Sequence, residues 1–555
     1  MSMFLPQTPH HVPTVRALLL SGLLLGVWTG GPSLAGEPWT FTDVTSAAGF
    51  HHQHGVESPL GGALLMAGGV AAGDYDRDGW VDLYVVRRGP GGNMLYRNLG
   101  DGTFEDVAPA AGVAVSGDLA NGPTFVDLDG DGFLDLLIGG VESESVRLFR
   151  NLGPVDGGPV QFTEVQLDAG LDSTFHSFGA SFGDYDGDGD LDLFLPQWNR
   201  TPLNVLWRND GNFTFTAADT LAFDAATREA LIFTFTANFT DLDRDGRLDL
   251  VVASDFNNSQ VLMNSGPSAR SSSHAKGGEV TFERVTDTSV VVDENGMGAA
   301  VGDYDNDGHL DWFVSSIKGP GYPVGNRLYR GQGDGTFTDA TVAAGVIDGF
   351  WGWGSCFADF DNDGFLDLFH VNGFSESEVY EDDPSRLFMN LGDGTFAERA
   401  VAQGIDDRRQ GRGVVCFDYD RDGDLDLFIA NNTDAPRLYR NDGGNANPSL
   451  SVRLEGVALN SQGVGAHLTL EVGGSTWVRE IRNGSNYVSQ NPSVAHFGVG
   501  SAQGARALTV RWPDGSETRW FGGEASQAVT LPQDLTFENG FESGTLTGWT
   551  VVPTP

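Results

Sequence analysis

The stretch Asp74-Tyr75-Asp76-Arg77-Asp78-Gly79-Trp80-Val81-Asp82 places carboxylates at positions 1, 3, 5 and 9 of a nine-residue window and glycine at position 6. The same pattern returns as Asp127, Asp129, Asp131 and Asp135; as Asp184, Asp186, Asp188 and Asp192; and as Asp241, Asp243, Asp245 and Asp249. It returns again as Asp303, Asp305, Asp307 and Asp311; as Asp359, Asp361, Asp363 and Asp367; and as Asp418, Asp420, Asp422 and Asp426. The seven copies start 53, 57, 57, 62, 56 and 59 residues apart, and none has lost an aspartate. A repeat of this length is the signature of an array of structural units.

The spacing suits a hard divalent cation. Ca²⁺ takes about six to eight oxygen ligands, and carboxylates at alternate positions converge when the chain curls around one ion. Glycine at position 6 permits the sharp turn, position 7 can offer its carbonyl, and the aspartate at position 9 closes the shell. The glutamate at position 12 of a helix–loop–helix calcium site is missing, and the flanks are strands rather than helices. Small apolar runs such as Gly298-Ala-Ala-Val-Gly302 precede the loop, and runs such as Leu83-Tyr-Val-Val86 and Leu427-Phe-Ile-Ala430 follow it. All 28 aspartates are candidate ligands for up to seven Ca²⁺ ions, one per repeat. Mg²⁺ fits less well because it demands a stricter octahedron and keeps more water.

Each repeat continues with a Leu-Tyr-Arg-Asn signature, Leu95 to Asn98 in the first, and a Thr-Phe run such as Thr103-Phe-Glu-Asp-Val107. Four strands per repeat make a propeller blade. The seventh copy lacks its Thr-Phe strand, whereas an unmatched Thr40-Phe-Thr-Asp-Val44 precedes the first. The expected fold is therefore all-β: a seven-bladed β-propeller over 36–445, four strands per blade, with the N-terminal strand closing the last blade, followed by a small β domain over 446–520 and a tail over 521–555.

Composition agrees. The 555 residues carry 76 Asp and Glu against 32 Lys and Arg, a net charge of −44, and the loops account for 28 of those acids. This balance excludes nucleic acid as a partner, and 40% hydrophobic residues exclude a disordered acidic tail. Residues 1–35 read as a signal peptide: Arg16, the apolar run Ala17 to Trp28, then Ser33-Leu34-Ala35 as a cleavage site. The expected location is secreted or extracellular, periplasmic or at the cell surface, with no stable membrane insertion. Two cysteines, Cys356 and Cys416, precede their loops by three and two residues. This inequivalence favours buried thiols; a disulfide between neighbouring repeats stays open.

The aspartate loops resemble the FG-GAP/VCBS calcium-binding propeller repeats of integrin α-subunits and many exported bacterial proteins, over roughly 38–445. The Phe-Gly element is intact at Phe178-Gly179-Ala180 and replaced elsewhere, as at Gly296-Met-Gly298. Beyond the ring, Asn460-Ser-Gln-Gly-Val-Gly-Ala466, Asn483-Gly-Ser-Asn-Tyr-Val-Ser-Gln490, His496-Phe-Gly-Val-Gly500 and Val510-Arg-Trp-Pro-Asp-Gly515 resemble the ASPIC/UnbV domain. The combination is similar to the cartilage acidic protein family, which implies an extracellular calcium-binding protein.

Other chemistry is sparse. No nucleophile elbow, HExxH, CxxC or P-loop occurs, so no catalytic residue is assigned. His51, His52 and His54 could bind a transition metal or be ordinary hydrogen-bonding groups. His467 and His496 fit structural hydrogen bonding. Trp351 and Trp353 fit packing between blades or stacking on a sugar. Glu376, Glu378, Glu381, Asp382 and Asp383 read as a solvated loop, Ser268 to Lys276 as a polar insertion, and Phe537 to Gly544 with Trp549 as a short terminal motif. Two function classes follow: a non-catalytic binding or adhesion module for a protein or glycan ligand, and an extracellular carbohydrate-active enzyme on a calcium-stabilised propeller.

Overall fold

The computed structural model describes residues 39–533 except 56–61, 88–90, 117–118, 143–144, 166–168, 172–175, 202–204, 268–279, 458, 485, 503, 505 and 524–525. The expected signal peptide, the insertion at 268–276 and the motif at 537–549 lie outside the described residues.

Seven four-stranded antiparallel sheets form, one around each aspartate loop. They are named blades one to seven here, in the order of their loops. In each, the loop joins the innermost strand to the second: Val70–Gly73 leads into loop one and Asp82–Val85 leaves it. The N-terminal strand Thr40–Asp43 pairs antiparallel with Arg437–Asp442 of blade seven, in register Phe41 with Asn441. The latch expected from the repeat phase is therefore present, and it joins the first described strand to the last blade as that blade's outermost strand.

Small inner strands follow from crowding near the axis. A Cβ on Gly73 would lie 2.7 Å from Leu134 Cδ1 of the next blade, and one on Gly302 would lie 2.7 Å from Leu366 Cδ1. The asparagine of the Leu-Tyr-Arg-Asn signature stitches blade to blade. Asn98 Nδ2 donates to Tyr419 O of blade seven at 2.9 Å, closing the ring. Asn151 donates to Tyr75 O, Asn264 to Tyr185 O, Asn390 to Tyr304 O and Asn441 to Phe360 O, at 2.7–3.0 Å. In each case the acceptor is the second residue of the preceding loop. These buried bonds satisfy the asparagine amides and tie five of the blades to the one before.

Cys356 and Cys416 form a disulfide, with Cα atoms 6.9 Å apart. This overturns the expectation of buried thiols. The two lie on the inner strands of adjacent blades, Gly352–Ala358 and Gly411–Phe417. Side chains alternate along a strand, so a one-residue offset puts the two cysteines on opposite faces of their sheets. Opposite faces are the ones that meet between neighbouring blades. The inequivalence that argued against pairing is what permits it.

Two more sheets follow the ring: Val494–Gly498, Ser449–Glu455 and Gln527–Pro532 in one, and Ser475–Glu480, His467–Val472, Arg506–Arg511 and Glu517–Gly522 in the other. They enclose Leu450, Leu468, Trp477, Phe497, Val510 and Trp512. This β unit runs past the boundary expected at 520, because Gln527–Pro532 pairs parallel with Ser449–Glu455. Its alternation of Thr, Val and Gln gave too weak an apolar signal to be read as a strand.

One segment of the second unit leaves its sheets and enters the ring. Ser489–Gln490 pairs parallel with Val70 and Ala71 as a fifth strand on the inner edge of blade one. Phe182 N donates to Asn483 O at 2.7 Å and Ser355 N to Asn486 O at 2.9 Å. Asn483 and Gln490 both donate to Phe125 O, at 2.7 and 2.8 Å, and Asn486 donates to Val414 O at 3.2 Å. Arg482 donates to Val301 O. Tyr487 is fully buried, its ring 5.6 Å from that of Phe235. Residues 482–484 and 486–490 thus reach the inner strands of all seven blades and occupy the axis of the propeller.

Candidate metal centres

The seven loops share one backbone path. Position 4 is left-handed throughout, with φ of 61° at Arg77, 71° at Gly130, 74° at Gly187, 60° at Arg244, 56° at Asn306, 55° at Asn362 and 61° at Arg421. The glycine at position 6 lies between 84° and 100° in all seven. Two left-handed residues per turn curl the chain so that its odd-numbered side chains point inward. A bulky arginine held at positive φ carries a conformational cost, so the loop's own bonds must hold it there.

Those bonds come from the aspartates. At position 1, Asp74, Asp127, Asp184, Asp241, Asp303, Asp359 and Asp418 each accept the amide of their own position-6 glycine at 2.9–3.1 Å. At position 9, Asp82, Asp135, Asp192, Asp249, Asp311, Asp367 and Asp426 are buried, and each carboxylate bridges two backbone amides. Asp82 accepts from Asn98 N at 2.8 Å and Tyr75 N at 3.3 Å; Asp426 accepts from Asn441 N at 2.8 Å and Tyr419 N at 3.0 Å. The ninth aspartate therefore ties the loop to the third strand of its blade, a structural task the spacing did not reveal.

Ligand atoms converge within 4.8 Å in Asp74, Asp76 and Asp78; Asp127, Asp129 and Asp135; Asp184, Asp186 and Asp192; Asp241, Asp243 and Asp245; and Asp303, Asp305 and Asp311. Asp359, Asp361, Asp363 and Asp367, like Asp418, Asp420, Asp422 and Asp426, occupy the same turn, with Asp363 N and Asp422 N bonded to the first aspartate. Each cluster could hold a metal ion.

The donor set fits a cation. Oδ1 of Asp74 and Oδ1 of Asp420 are buried with no hydrogen-bond partner. Arginines of the strand signature lean on the carboxylates at positions 3 and 5: Arg97 Nε is 2.7 Å from Asp76, Arg150 Nη2 is 2.6 Å from Asp129, and Arg330 Nη2 is 2.7 Å from Asp307. Burial first, then neighbouring carboxylates, pushes Asp184 up to about 7 and Asp186 up to about 6. Burial likewise pushes Asp418 up to about 7 and Asp249 up to about 8, and raises Asp192, Asp359 and Asp426 well above the carboxylate range. Carboxylates held this close out of water favour protonation unless a counter-charge sits among them. A divalent cation would supply that charge and cross-brace the loop.

The β unit stands on this face of the ring. Arg453 Nη1 lies 2.6 Å from Asp74 Oδ2, Ser461 Oγ donates to Asp127 Oδ2, and Gly498 N donates to Asp359 Oδ2 at 3.1 Å. Glu480 accepts from Asp241 N at 2.9 Å and from Thr240 Oγ1 at 2.7 Å. Burial opposes its charge, yet His467 and Arg482 hold its carboxyl at about 2.

The remaining candidates resolve individually. His51 is exposed, His52 Nδ1 sits 2.5 Å from the Tyr96 hydroxyl, and His54 Nδ1 sits 3.2 Å from Val86 O, so the three turn to different surroundings. His467 lies 3.2 Å from Glu480, and His496 Nε2 lies 2.6 Å from Asn362 Oδ1; both bonds are structural, and that of His496 crosses to the ring. Trp353 is buried, donates to Gly373 O at 2.8 Å and carries the Arg412 guanidinium over its ring at 4.2 Å. Trp351 stacks on Phe374 at 4.1 Å. Glu376, Glu378, Glu381 and Asp382 are exposed as expected, but Asp383 is buried under Trp351 N.

Comparison with known proteins agrees with this architecture. The FG-GAP-like repeat model matches residues 74–138, 127–195, 241–314, 317–370 and 378–429, and the ASPIC and UnbV model matches 456–536. Cartilage acidic protein 1 of Homo sapiens is 23% identical over 71% of this chain and 69% of its own length. That of Mus musculus is 25% identical over 80% and 70%. Among solved structures, the exotype rhamnogalacturonan lyase YesX aligns over 84% of this chain and 73% of its own at 13% identity with a TM-score of 0.37, a likeness too slight to bear on function. The chain therefore belongs to the FG-GAP-repeat family, carries an ASPIC and UnbV domain, and is homologous to cartilage acidic protein 1.

Proposed function

We propose that the protein is an exported, calcium-binding propeller that acts as a non-catalytic binding module for a protein or glycan ligand. The observation that carries the calcium reading is the identity of seven loops in backbone path, aspartate placement and glycine turn. All 28 loop aspartates serve it: position 1 and the inward positions as ligands, position 9 as ligand and strand tie. The Cys356–Cys416 disulfide supports an oxidising, extracytoplasmic location. No helix among the described residues is long and apolar enough to cross a membrane. Residues 482–484 and 486–490 occupy the propeller axis, so a ligand would contact the blade connections rather than a channel.

Calcium that binds only the folded chain stabilises it, by about 2.7 kcal/mol per site at a hundredfold excess over Kd. Chelation should therefore lower the unfolding temperature strongly, and a calcium titration that leaves it unmoved overturns the reading. A glycan and protein array, with calcium present, tests the ligand class.

A second reading, a carbohydrate-active enzyme, has one local observation in its favour. On the face away from the aspartate loops, Trp198 Nε1 donates to Asp255 at 3.2 Å, with Phe233 5.3 Å from the Trp198 ring and Phe256 half-exposed beside it. Burial pushes Asp255 up to about 7 and the neighbouring Asp293 up to about 6. Neither is a loop aspartate. Polysaccharide turnover that disappears in Asp255→Asn would favour this reading over the first.

A further inference from the structure

We propose that the first aspartates of loops one, two, four and six are metal ligands set in place by the β unit, with Arg453, Ser461, Glu480 and the Gly498 amide as their positioning groups, whereas those of loops three, five and seven are held by hydrogen bonds of their own loops, Ser449 of the β unit reaching loop seven only at Gly423 O. The inference rests on the calcium reading above and divides seven loops of one sequence pattern into two kinds.

The division follows from what touches the first aspartate. In loop one, Asp74 Oδ2 takes Gly79 N at 3.1 Å and Arg453 Nη1 at 2.6 Å, while Oδ1 stays buried with no hydrogen-bond partner. In loop two, Asp127 Oδ2 takes Gly132 N at 2.9 Å and the Ser461 hydroxyl. In loop six, Asp359 Oδ2 takes Gly364 N at 2.9 Å and Gly498 N at 3.1 Å, and Gly500 N adds a bond to Asn362 O at 2.8 Å. In each of these three the contact from the β unit falls on the oxygen that already faces the loop amide. That fixes the carboxylate plane; Oδ1 of Asp74 is left without a hydrogen-bond partner, while Oδ1 of Asp127 accepts Gly130 N at 2.8 Å and Oδ1 of Asp359 accepts Asp363 N at 3.0 Å.

Loop four is held differently. Glu480 grips the backbone amide of Asp241 and the hydroxyl of Thr240, placing one more carboxylate behind the first ligand. His467 Nε2 lies 3.2 Å from Glu480 and 3.9 Å from Asp241. By contrast, Asp184, Asp303 and Asp418 accept hydrogen bonds only from their own loops among the described residues. Arg479 acts on Asp303 through its charge, but its own bonds go to His496 O and Val478 O.

Outer groups that orient a ligand set metal affinity, and their loss costs about tenfold to a hundredfold. Coupling is reciprocal: an ion that is bound more tightly when the β unit is docked must also dock that unit more tightly. Calcium in four loops would therefore hold residues 482–490 in the propeller axis, and its removal would loosen them.

Calorimetric titration of the full chain with Ca²⁺ tests the idea. Ser461→Ala should weaken one site about tenfold and leave the others unchanged; Ser461→Thr, which keeps a hydroxyl, should restore it. Arg453→Gln should act likewise on one other site. Hydrogen exchange supplies a readout independent of affinity. Asp127→Asn should raise exchange in the β unit at saturating Ca²⁺, and Asp184→Asn should not. The inference is overturned if Ser461→Ala and Arg453→Gln leave every affinity unchanged, or if Asp184→Asn loosens the β unit as much as Asp127→Asn. Should the unaltered chain bind no calcium at all, the calcium reading itself falls and this inference with it. Seven equivalent sites indifferent to the variants overturn this inference alone.

Discussion

Tyr487 is the side chain on which the docking of the second unit depends most. It stands in the propeller axis with no exposed surface, its ring centroid 5.8 Å from Phe178, 5.6 Å from Phe235 and 5.4 Å from Trp353. Its hydroxyl donates to Met66 O at 3.0 Å. Replacing it by alanine removes a buried aromatic ring and leaves that carbonyl unpaired. At about 25 cal/mol per Å² and about 200 Å² for a buried aromatic, the lost burial alone is about 5 kcal/mol. This falls at the top of the ~3–5 kcal/mol typical of aromatic-to-alanine changes in cores. The stranded carbonyl adds about 1 kcal/mol. Tyr487→Phe should lose only that last part. Tyr487 also sits at φ 131°, a conformation glycine adopts without strain. Tyr487→Gly should therefore be less destabilised than Tyr487→Ala, despite having the smaller side chain. Denaturant unfolding followed by tryptophan fluorescence reads the energies, and protease sensitivity of residues 446–533 reads the docking. A loss under about 1 kcal/mol in Tyr487→Ala, with unchanged protease resistance, would refute the view that the axis segment anchors the β unit.

Three further outcomes follow from the same structure. The Cys356–Cys416 disulfide closes a loop of 60 residues, worth about 4 kcal/mol in the chain-entropy account; Cys356→Ser should lower denaturant stability by an amount of that order, and no change on reduction would contradict it. Gly69 has φ +123°, and a Cβ there would lie 1.9 Å from Val488 O; Gly69→Ala should cost about 2 kcal/mol or more and expose 482–490 to protease, whereas intact protection would count against the close approach. His370 is fully buried beside Asn326, and burial, then Arg386, lowers its pKa to about 3. The folded chain keeps it neutral while the unfolded chain protonates below about 6.5, so this stability is present above about 6.5 and is lost as pH falls toward 3. The loss at pH 5 is about 2 kcal/mol, and His370→Gln should flatten the pH dependence by that amount relative to the unaltered chain.

Much of this was legible in the chain. The loops, the strands that flank them and the N-terminal latch are local or periodic, so they show as spacing. Asp74 meets Gly79 five residues on, and each such bond recurs because the pattern recurs. Other features carried only a partial signal. The asparagine of the strand signature was visible at Asn98, Asn151 and Asn264, but not its partner, which lies in the preceding blade. The cysteines were visible, yet the offset that pairs them has meaning only once two sheets face each other. Asp255 beside Trp198 left no trace, because the two are 57 residues apart and come from different blades.

By itself, then, the sequence determined the repeat, the all-β ring, its closure and the places where carboxylates gather, because each depends on hydrogen bonds within one blade and on a fixed period. Only the tertiary structure decided what fills the axis and what stands on the metal face. Val70 pairs with Ser489, and Asp74 with Arg453, 379 residues further on. No period in the sequence expresses a contact made once between unlike segments; such a contact exists only after the ring has closed and offered a surface to receive it.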